Sequence, residues 1–321
     1  MNLKNTVIGI EFGSTRIKAV MLDEDRKVCA SGSFLWENRL ENNIWTYDLK
    51  DVVFGMQTCF KELKKDFEEK YNTVLSETGA IGISGMMHGL LAFDRNMELL
   101  TPFRTWRNTI TQQAAEKLSE EFQFNVPQRW SISHYYQDLL DKKPYVKDID
   151  FFTTLSGYVH YLLTGEKVLG ICEASGMFPI DSKILDYNKE FVEKFKKLAD
   201  VQITDLLPKV LVAGNNAGYL TKEGARLLDI SGDLIWGIPL VPPEGDGGTG
   251  MVATNSVKIN TGNVSAGTSI FAMVVVDRMP KMYREIDMIT TPAGNDVAMV
   301  HCNNCTTDIN GWAGLFKEFA D

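Results

Sequence analysis

Two apolar strand-like runs, one towards each end of the chain, feed turns built of glycine and hydroxyl residues, and this pairing restricts the fold more than anything else in the sequence. Near the start, Val7-Ile-Gly-Ile10 leads into Glu11-Phe-Gly-Ser-Thr-Arg-Ile-Lys18, and late in the chain comes Asn263-Val-Ser-Ala-Gly-Thr-Ser269. Glycine lets the backbone approach an oxyanion, the hydroxyls of Ser14 and Thr15 add donors, and successive N–H groups form an anion-binding concavity. Either turn alone is an ordinary hairpin connection. Taken together, Gly13 to Thr15 and Gly267 to Ser269 suggest one polyphosphate gripped between two related halves.

Between them, Val241-Pro-Pro-Glu-Gly-Asp-Gly-Gly-Thr-Gly250 sets one carboxylate, Asp246, in a flexible glycine loop. A carboxylate so placed can accept a hydroxyl proton while nearby N–H groups hold the anion that the hydroxyl attacks. The pattern therefore predicts phosphoryl transfer to a hydroxyl, with Glu11 able to hold a divalent metal through water.

Several ordered motifs carry a resemblance: Gly9-Ile-Glu-Phe-Gly-Ser-Thr15, Gly82-Ile-Ser-Gly-Met-Met-His-Gly89, Trp106-Arg-Asn108, Glu173-Ala-Ser-Gly-Met177, Gly245-Asp-Gly247 and Ser265-Ala-Gly-Thr-Ser269. In these the chain resembles the FGGY carbohydrate kinases, and its Met-His-Gly element is most similar to the xylulokinase and pentulose-kinase branch. The resemblance implies an α/β fold of the actin/hexokinase/Hsp70-like ATPase (ribonuclease H-like) kind, a mixed sheet flanked by helices. It implies ATP and Mg²⁺ as cofactors and a pentulose-like sugar as substrate. Asp246 would be the catalytic base and a metal ligand with Glu11. Gly13, Ser14, Thr15, Lys18, Gly267, Thr268 and Ser269 would hold the nucleotide phosphates. Met87, His88, Trp106 and Asn108 would meet the sugar. The family implies an N-terminal domain over residues 1–254 and the start of a C-terminal one over 255–321, so the chain resembles a kinase truncated in its second lobe. Two rival readings stay open: a sugar-binding remnant without turnover, and an actin- or Hsp70-like ATPase acting on protein partners.

The sugar-side residues have structural alternatives of their own. A lone histidine is commonly structural, and Met87 equally reads as core filler. Trp45 matches a family position, but a half-buried tryptophan anchoring a helix start accounts for it. Trp106-Arg107-Asn108 departs from the family's usual run, Glu11 stands where Asp is usual, and Gly247 follows Asp246 where xylulokinases tend to have Asn. These departures leave the sugar's identity open.

Charge and composition exclude other classes. A formal net charge of −9 gives no electrostatic footprint for nucleic acid or an anionic membrane. No apolar run approaches a membrane span and no signal-peptide core precedes the first strand, so a cytoplasmic protein is expected. The oligomeric state is open, a homodimer included. The odd cysteine count, 5, argues against a disulfide framework. His301-Cys302-Asn-Asn-Cys305 has half of a zinc-site spacing without its second half, and reads as two thiols on a partly buried segment.

The periodicity predicts a strand meander over 7–10, 17–22 and 28–34, then a helix over 49–71 with Val52, Val53, Met56, Cys59, Phe60 and Leu63 on its buried face. A strand over 80–84 then delivers the Met87-His88 turn at its C-terminal end, where open α/β sheets place ligands. Helices are predicted over 111–122, 151–163, 189–198 and 225–228, a strand over 234–241, and a last helix from residue 310.

Overall fold

In the computed structural model the described residues are 2–266, 270–278, 281–302 and 305–320. The chain opens as an antiparallel meander whose alternation matches a half-buried sheet. β1 (Val7–Phe12) turns Ile8, Ile10 and Phe12 inward, β2 (Arg16–Leu22) turns in Ile17, Ala19 and Met21, and β3 (Val28–Leu35) pairs along β2. A small hairpin, β4 (Arg39–Glu41) and β5 (Ile44–Thr46), precedes the first long helix.

That helix, α1 (Leu49–Tyr71), begins where the Asp48 carboxylate accepts the Lys50 N–H and ends where Asn72 turns left-handed, both ordinary capping devices. Its buried stripe of Val52, Met56, Cys59, Phe60, Leu63 and Phe67 lies on β2 and β3. A Cβ at Gly32 of β3 would stand 2.1 Å from the Cys59 carbonyl oxygen, so glycine is what lets the helix sit this close. Each large side chain on the stripe contributes about 1.5–3 kcal/mol by leaving water.

β6 (Ala80–Gly85) runs parallel to β1, with Ile8 opposite Ile81 and Ile10 opposite Ile83. There follow β7 (Leu91–Phe93), α2 (Gln112–Phe122), α3 (Ser131–Leu140), β8 (Phe151–Thr153), α4 (Leu155–Thr164), β9 (Val168–Gly170), α5 (Ile171–Ser175), β10 (Ile180–Asp181), β11 (Asp186–Tyr187), α6 (Lys189–Ala199), β12 (Lys209–Leu211), α7 (Lys222–Leu228), β13 (Glu244–Gly245) and α8 (Asp246–Ala253). The mixed sheet has the order β13-β6-β1-β2-β3, with β13, β6 and β1 parallel. Then come β14 (Gly262–Ala266), β15 (Ile270–Val275), β16 (Asp287–Thr290) and β17 (Asp296–Cys302), an antiparallel sheet of order β14-β15-β17-β16, and finally α9 (Thr306–Ala320).

Two cores result. One fills the space between the mixed sheet and α1, α4 and α7; the other joins α2, α3 and α6 to the inner residues Met273, Val275, Ile289 and Val297 of the antiparallel sheet. Met86 belongs to the first core and Met87 to the second. The end of β6 therefore lies on the seam between them.

Three sequence expectations are corrected. Residues 151–153 form a strand paired with β7, and the helix starts only after extended Thr154, because a short apolar run fits either period. The expected strand over 234–241 is broken: Gly237 has φ +88° and Pro239 lacks an N–H, leaving single bridges at Pro239 and Leu240. The glycine loop around Asp246 is a helix, α8. α3 carries no prediction at all.

Candidate active site

α8 runs against its own composition, since interior glycine weakens a helix by roughly 0.5–1 kcal/mol relative to alanine. The reason is close packing. A Cβ at Gly247 would lie 3.0 Å from Met87 Sδ, and one at Gly248 would lie 2.7 Å from Cys172 Sγ. Glycine thus lets the first turn of α8 settle into the seam beside Met87. Asp246 is the first residue of that turn, and its Oδ1 accepts the Gly247 N–H at 2.9 Å. Burial first, and then the charge of Glu11, push its carboxyl up to about 6, with the N–H groups of Gly247 and Met87 opposing. A carboxylate near 6 is mostly ionised at neutral pH and still basic enough to take a proton.

Asp246 and Glu11 open onto one cavity of about 670 Å³. Its walls come from β1 (Gly9, Ile10), β2 (Lys18, Val20), β6 (Gly82, Ile83, Ser84), the Val241-Pro242 segment, and Thr249 and Gly250 of α8. Lys18 Nζ stands 3.9 Å from Glu11 Oε2, both half-exposed. Ser84 and Thr249 share a hydrogen bond of 2.9 Å that ties β6 to α8 across the cavity floor.

The first glycine turn is a tight hairpin, with the Gly13 N–H donating to the Arg16 carbonyl at 3.0 Å. Its carbonyls are held from behind. Trp36 Nε1 donates to Gly13 O at 2.7 Å, the Tyr47 hydroxyl to Ser14 O at 2.6 Å, and the Trp36 N–H to Thr15 O at 3.2 Å. Ser14 is half-buried and Thr15 exposed. Gly267, Thr268 and Ser269 lie outside the described residues.

At the other side of Asp246, the end of β6 presents the Met87-His88 pair. His88 takes a left-handed φ of +70° and Gly89 one of +81°. A Cβ at Gly89 would stand 2.1 Å from the Arg104 carbonyl, so the turn requires glycine there. The His88 ring is buried and stacks on Trp130 at 6.4 Å, with Nδ1 3.2 Å from the Gly176 carbonyl. A carbonyl only accepts, so Nδ1 carries the proton and Nε2 is left as an acceptor. Burial, aided by Arg129, holds the imidazole well below its usual range and therefore neutral.

Trp106 is half-buried, with Nε1 3.4 Å from Ser14 Oγ and its ring edge-on to His301 of β17 at 6.1 Å. It thus bridges the first turn and the antiparallel sheet. Asn108 corrects the sequence expectation. Its Oδ1 accepts the Trp45 N–H at 2.9 Å, and its amide donates to the carbonyls of Trp45 and Thr105 at 2.8 and 3.0 Å. Those bonds use both amide hydrogens and one acceptor position of the carboxamide to hold β5. Trp45 lies on that strand and does not anchor a helix start; the Arg107 guanidinium covers its ring at 4.0 Å.

The structure adds residues that the sequence reading missed. Glu173 of α5 and Glu244 of β13 lie buried behind Asp246, and Arg129 pairs with Asp287 of β16 beside His88 and His301. Glu244 is signalled by its position two residues before Asp246; the Arg129–Asp287 pair joins distant segments and leaves no sequence signal. Cys302 and Cys305 are free thiols, and no cluster of three or more metal-ligating side chains occurs among the described residues. No helix among them is long and apolar enough to cross a membrane.

Comparison with known proteins agrees with this architecture. The family profile for the FGGY family of carbohydrate kinases, N-terminal domain, matches residues 6–252. The chain is 27% identical over 285 residues to a xylulose kinase of Haemophilus influenzae, covering 82% of this chain and 54% of that one. It is 23% identical over 245 residues to a glycerol kinase of Thermococcus gammatolerans, covering 72% and 48%. The structure of a gluconate kinase from Lactobacillus acidophilus superposes with a TM-score of 0.80 at 20% identity, over 96% of this chain and 61% of that one. This chain spans about half the length of the curated relatives it matches. The mixed sheet and its helices are those of the actin/hexokinase-like ATPase fold, and the chain belongs to the FGGY family of carbohydrate kinases.

Proposed function

We propose that this chain carries the sugar and phosphate sites of an ATP-dependent carbohydrate kinase that transfers the γ-phosphoryl group of ATP to a hydroxyl of a small sugar, a pentulose such as xylulose. The observation that supports this most is that Asp246 opens onto the cavity it shares with Glu11 while its backbone packs on Met87. That places one base between a site suited to charge and a site suited to a neutral polyol.

In this reading Asp246 accepts the proton of the attacking hydroxyl as its oxygen bonds to the γ-phosphorus and the bridging oxygen of ADP departs. The transition state is loose, so positioning and charge neutralisation supply most of the rate. His88 Nε2 accepts from a sugar hydroxyl, Met87 packs on the carbon skeleton, and Trp106 covers an apolar sugar face. The turns Gly13-Ser14-Thr15 and Gly267-Thr268-Ser269 cradle the phosphates, with Lys18 alongside. Glu11, Glu244 and Asp246 line one cavity, and carboxylates so placed suit Mg²⁺, which binds through one or two carboxylates plus phosphate oxygens. Glu11 and Asp246 would hold it, and bound there it would neutralise charge on the phosphates. Residues 255–321 would begin a second lobe.

A second reading, a sugar-binding protein without turnover, uses the same Met87-His88 and Asp246 cleft. A coupled ADP-release assay over ketopentoses, glycerol, gluconate and sugar alcohols, with calorimetry of the same panel, separates them. Turnover with one ketopentose is the expected result. Binding without turnover supports the second reading, and neither binding nor turnover removes both.

A further inference from the structure

The motif Glu173-Ala-Ser-Gly-Met177 takes no part in the reaction described above, yet it lies immediately beneath the site. Glu173 has no exposed surface, and neither of its carboxyl oxygens has a hydrogen-bond partner of full geometry. Its position is tightly specified all the same. A Cβ at Gly245, the residue before Asp246, would stand 2.2 Å from Glu173 Oε2 and 2.2 Å from Met87 Cγ. The carboxyl and Met87 thus press together on the peptide that carries Asp246. On its other side the carboxyl is flanked by the backbone N–H of His88 and the Thr154 hydroxyl.

The same turn of chain holds His88 a second time. The Gly176 carbonyl, three residues on, takes the proton of His88 Nδ1, and a Cβ at Gly176 would stand 2.5 Å from that nitrogen. Glu173 is itself fixed from β13, since its N–H donates to Glu244 Oε2 at 2.9 Å. One buried element thus touches the backbone of His88, the ring of His88 and the residue before Asp246.

We propose that Glu173 is a positioning residue for the sugar site: its carboxyl, wedged between the Met87-His88 turn and Gly245, fixes the left-handed turn that aims His88 and sets the distance from that imidazole to the Asp246 carboxyl. The inference rests on the functional reading above. A carboxyl suits this place because it fills the volume while keeping polar atoms beside the His88 N–H and the Thr154 hydroxyl. An apolar side chain of equal size would set that N–H against a nonpolar surface. Burial, together with the nearby Asp246 and Glu244, pushes its carboxyl well above the usual carboxylate range.

The test uses the full chain and three substitutions. Glu173→Gln keeps shape and polarity, Glu173→Leu keeps size only, and Glu173→Asp shortens the wedge by one methylene. With the sugar that the panel identifies, the glutamine variant is expected within about threefold of wild type in every constant. The leucine variant is expected to raise sugar KM at least about tenfold, on the order of the cost of leaving a buried polar group against a nonpolar side chain, with ATP KM unchanged. If the leucine variant does not fold, the aspartate variant carries the test with the same split between the two KM values. Unchanged sugar KM, or a parallel rise in both KM values, overturns the proposal. Should wild type phosphorylate nothing in the panel, the functional reading falls and the positioning claim is read without substrate, from ¹⁵N-histidine NMR. The His88 signal of an Nδ1-protonated ring should persist in the glutamine variant and shift in the leucine variant. An unshifted signal in the leucine variant rejects the claim.

Discussion

The two sides of Asp246 solve opposite problems. On the cavity side, Glu11 and Lys18 keep 43% and 52% of their side-chain surface exposed and stay beside water. On the seam side, His88 is 5% exposed and Glu173 0%. Burial drives several groups there toward their neutral forms, the imidazole of His88 down and the carboxyl of Glu173 and the thiol of Cys172 up, and it raises Glu244, which lies between this side and the cavity, to about 8. An open, charged wall suits a polyphosphate, whose charge stays partly hydrated. A closed wall of buried polar groups, its one charged pair Arg129–Asp287 mutually compensated, suits a neutral polyol, which needs hydrogen bonds and would gain nothing from net charge. Asp246 stands between, half-buried, and its intermediate value of about 6 follows from that position.

Removing the group on the boundary should give the largest effect. Asp246→Asn keeps the bond from the Gly247 N–H and the shape of the helix start, but cannot take a proton. The expected loss in kcat is about 10²–10⁴-fold, the usual contribution of general base catalysis, with sugar affinity by calorimetry unchanged. The pH profile carries the sign. The base works ionised, so kcat/KM should be half-maximal near pH 6 and fall tenfold per unit below it. A midpoint near 4 would show that the Asp246 carboxylate is fully hydrated and would erase the contrast between the two sides.

Glu244 tests the closed wall through stability. Its folded value of about 8 lies above the ordinary 4.5 of the unfolded chain, so the folded state holds the proton more tightly. The stabilisation is complete below pH 4.5 and is lost as pH rises through 8, up to roughly 5 kcal/mol over that window. Denaturant unfolding at pH 5, 7 and 9 should show this decline, and Glu244→Gln, which keeps an acceptor for the Glu173 N–H, should flatten it. A wild-type profile already flat from 5 to 9 would mean that water reaches the wall.

Next in size is Asn108, which the sequence placed at the sugar and the structure places under β5. Asn108→Ala leaves the N–H and carbonyl of Trp45 without their partner and should lower unfolding free energy by about 1–3 kcal/mol. Sugar KM should change less than about threefold, because the carboxamide already spends its bonds on backbone. The reverse pattern, a large KM effect at unchanged stability, would return Asn108 to the sugar site.

What could be read from the sequence follows the same division. The open side is built from backbone geometry, and backbone geometry has residue signatures: β-branched runs in β1, the Gly13-Ser14-Thr15 turn, the apolar stripe of α1. The closed side is built from groups that meet only in the folded chain. Glu173 meets Gly245 across the seam, Arg129 meets Asp287, and no periodicity announces either contact. The glycines after Asp246 show how a local rule misleads. They suggest a flexible loop, but they serve the packing of α8 on Met87 and Cys172, so tertiary approach overrides propensity.

The smallest expected effect lies where the two sides touch. Ser14 Oγ accepts a long bond, 3.4 Å, from Trp106 Nε1, and the serine is only half-buried. A hydroxyl in contact with solvent contributes less than a buried one, because water replaces the lost partner. Ser14→Ala should therefore raise ATP KM a few-fold, the worth of under about 1 kcal/mol, and move sugar KM by less than twofold. If both constants rise together by tenfold or more, Trp106 transmits the state of the phosphate turn to the sugar wall. The open and closed sides would then be one coupled site, with Asp246 inside it and not on its boundary.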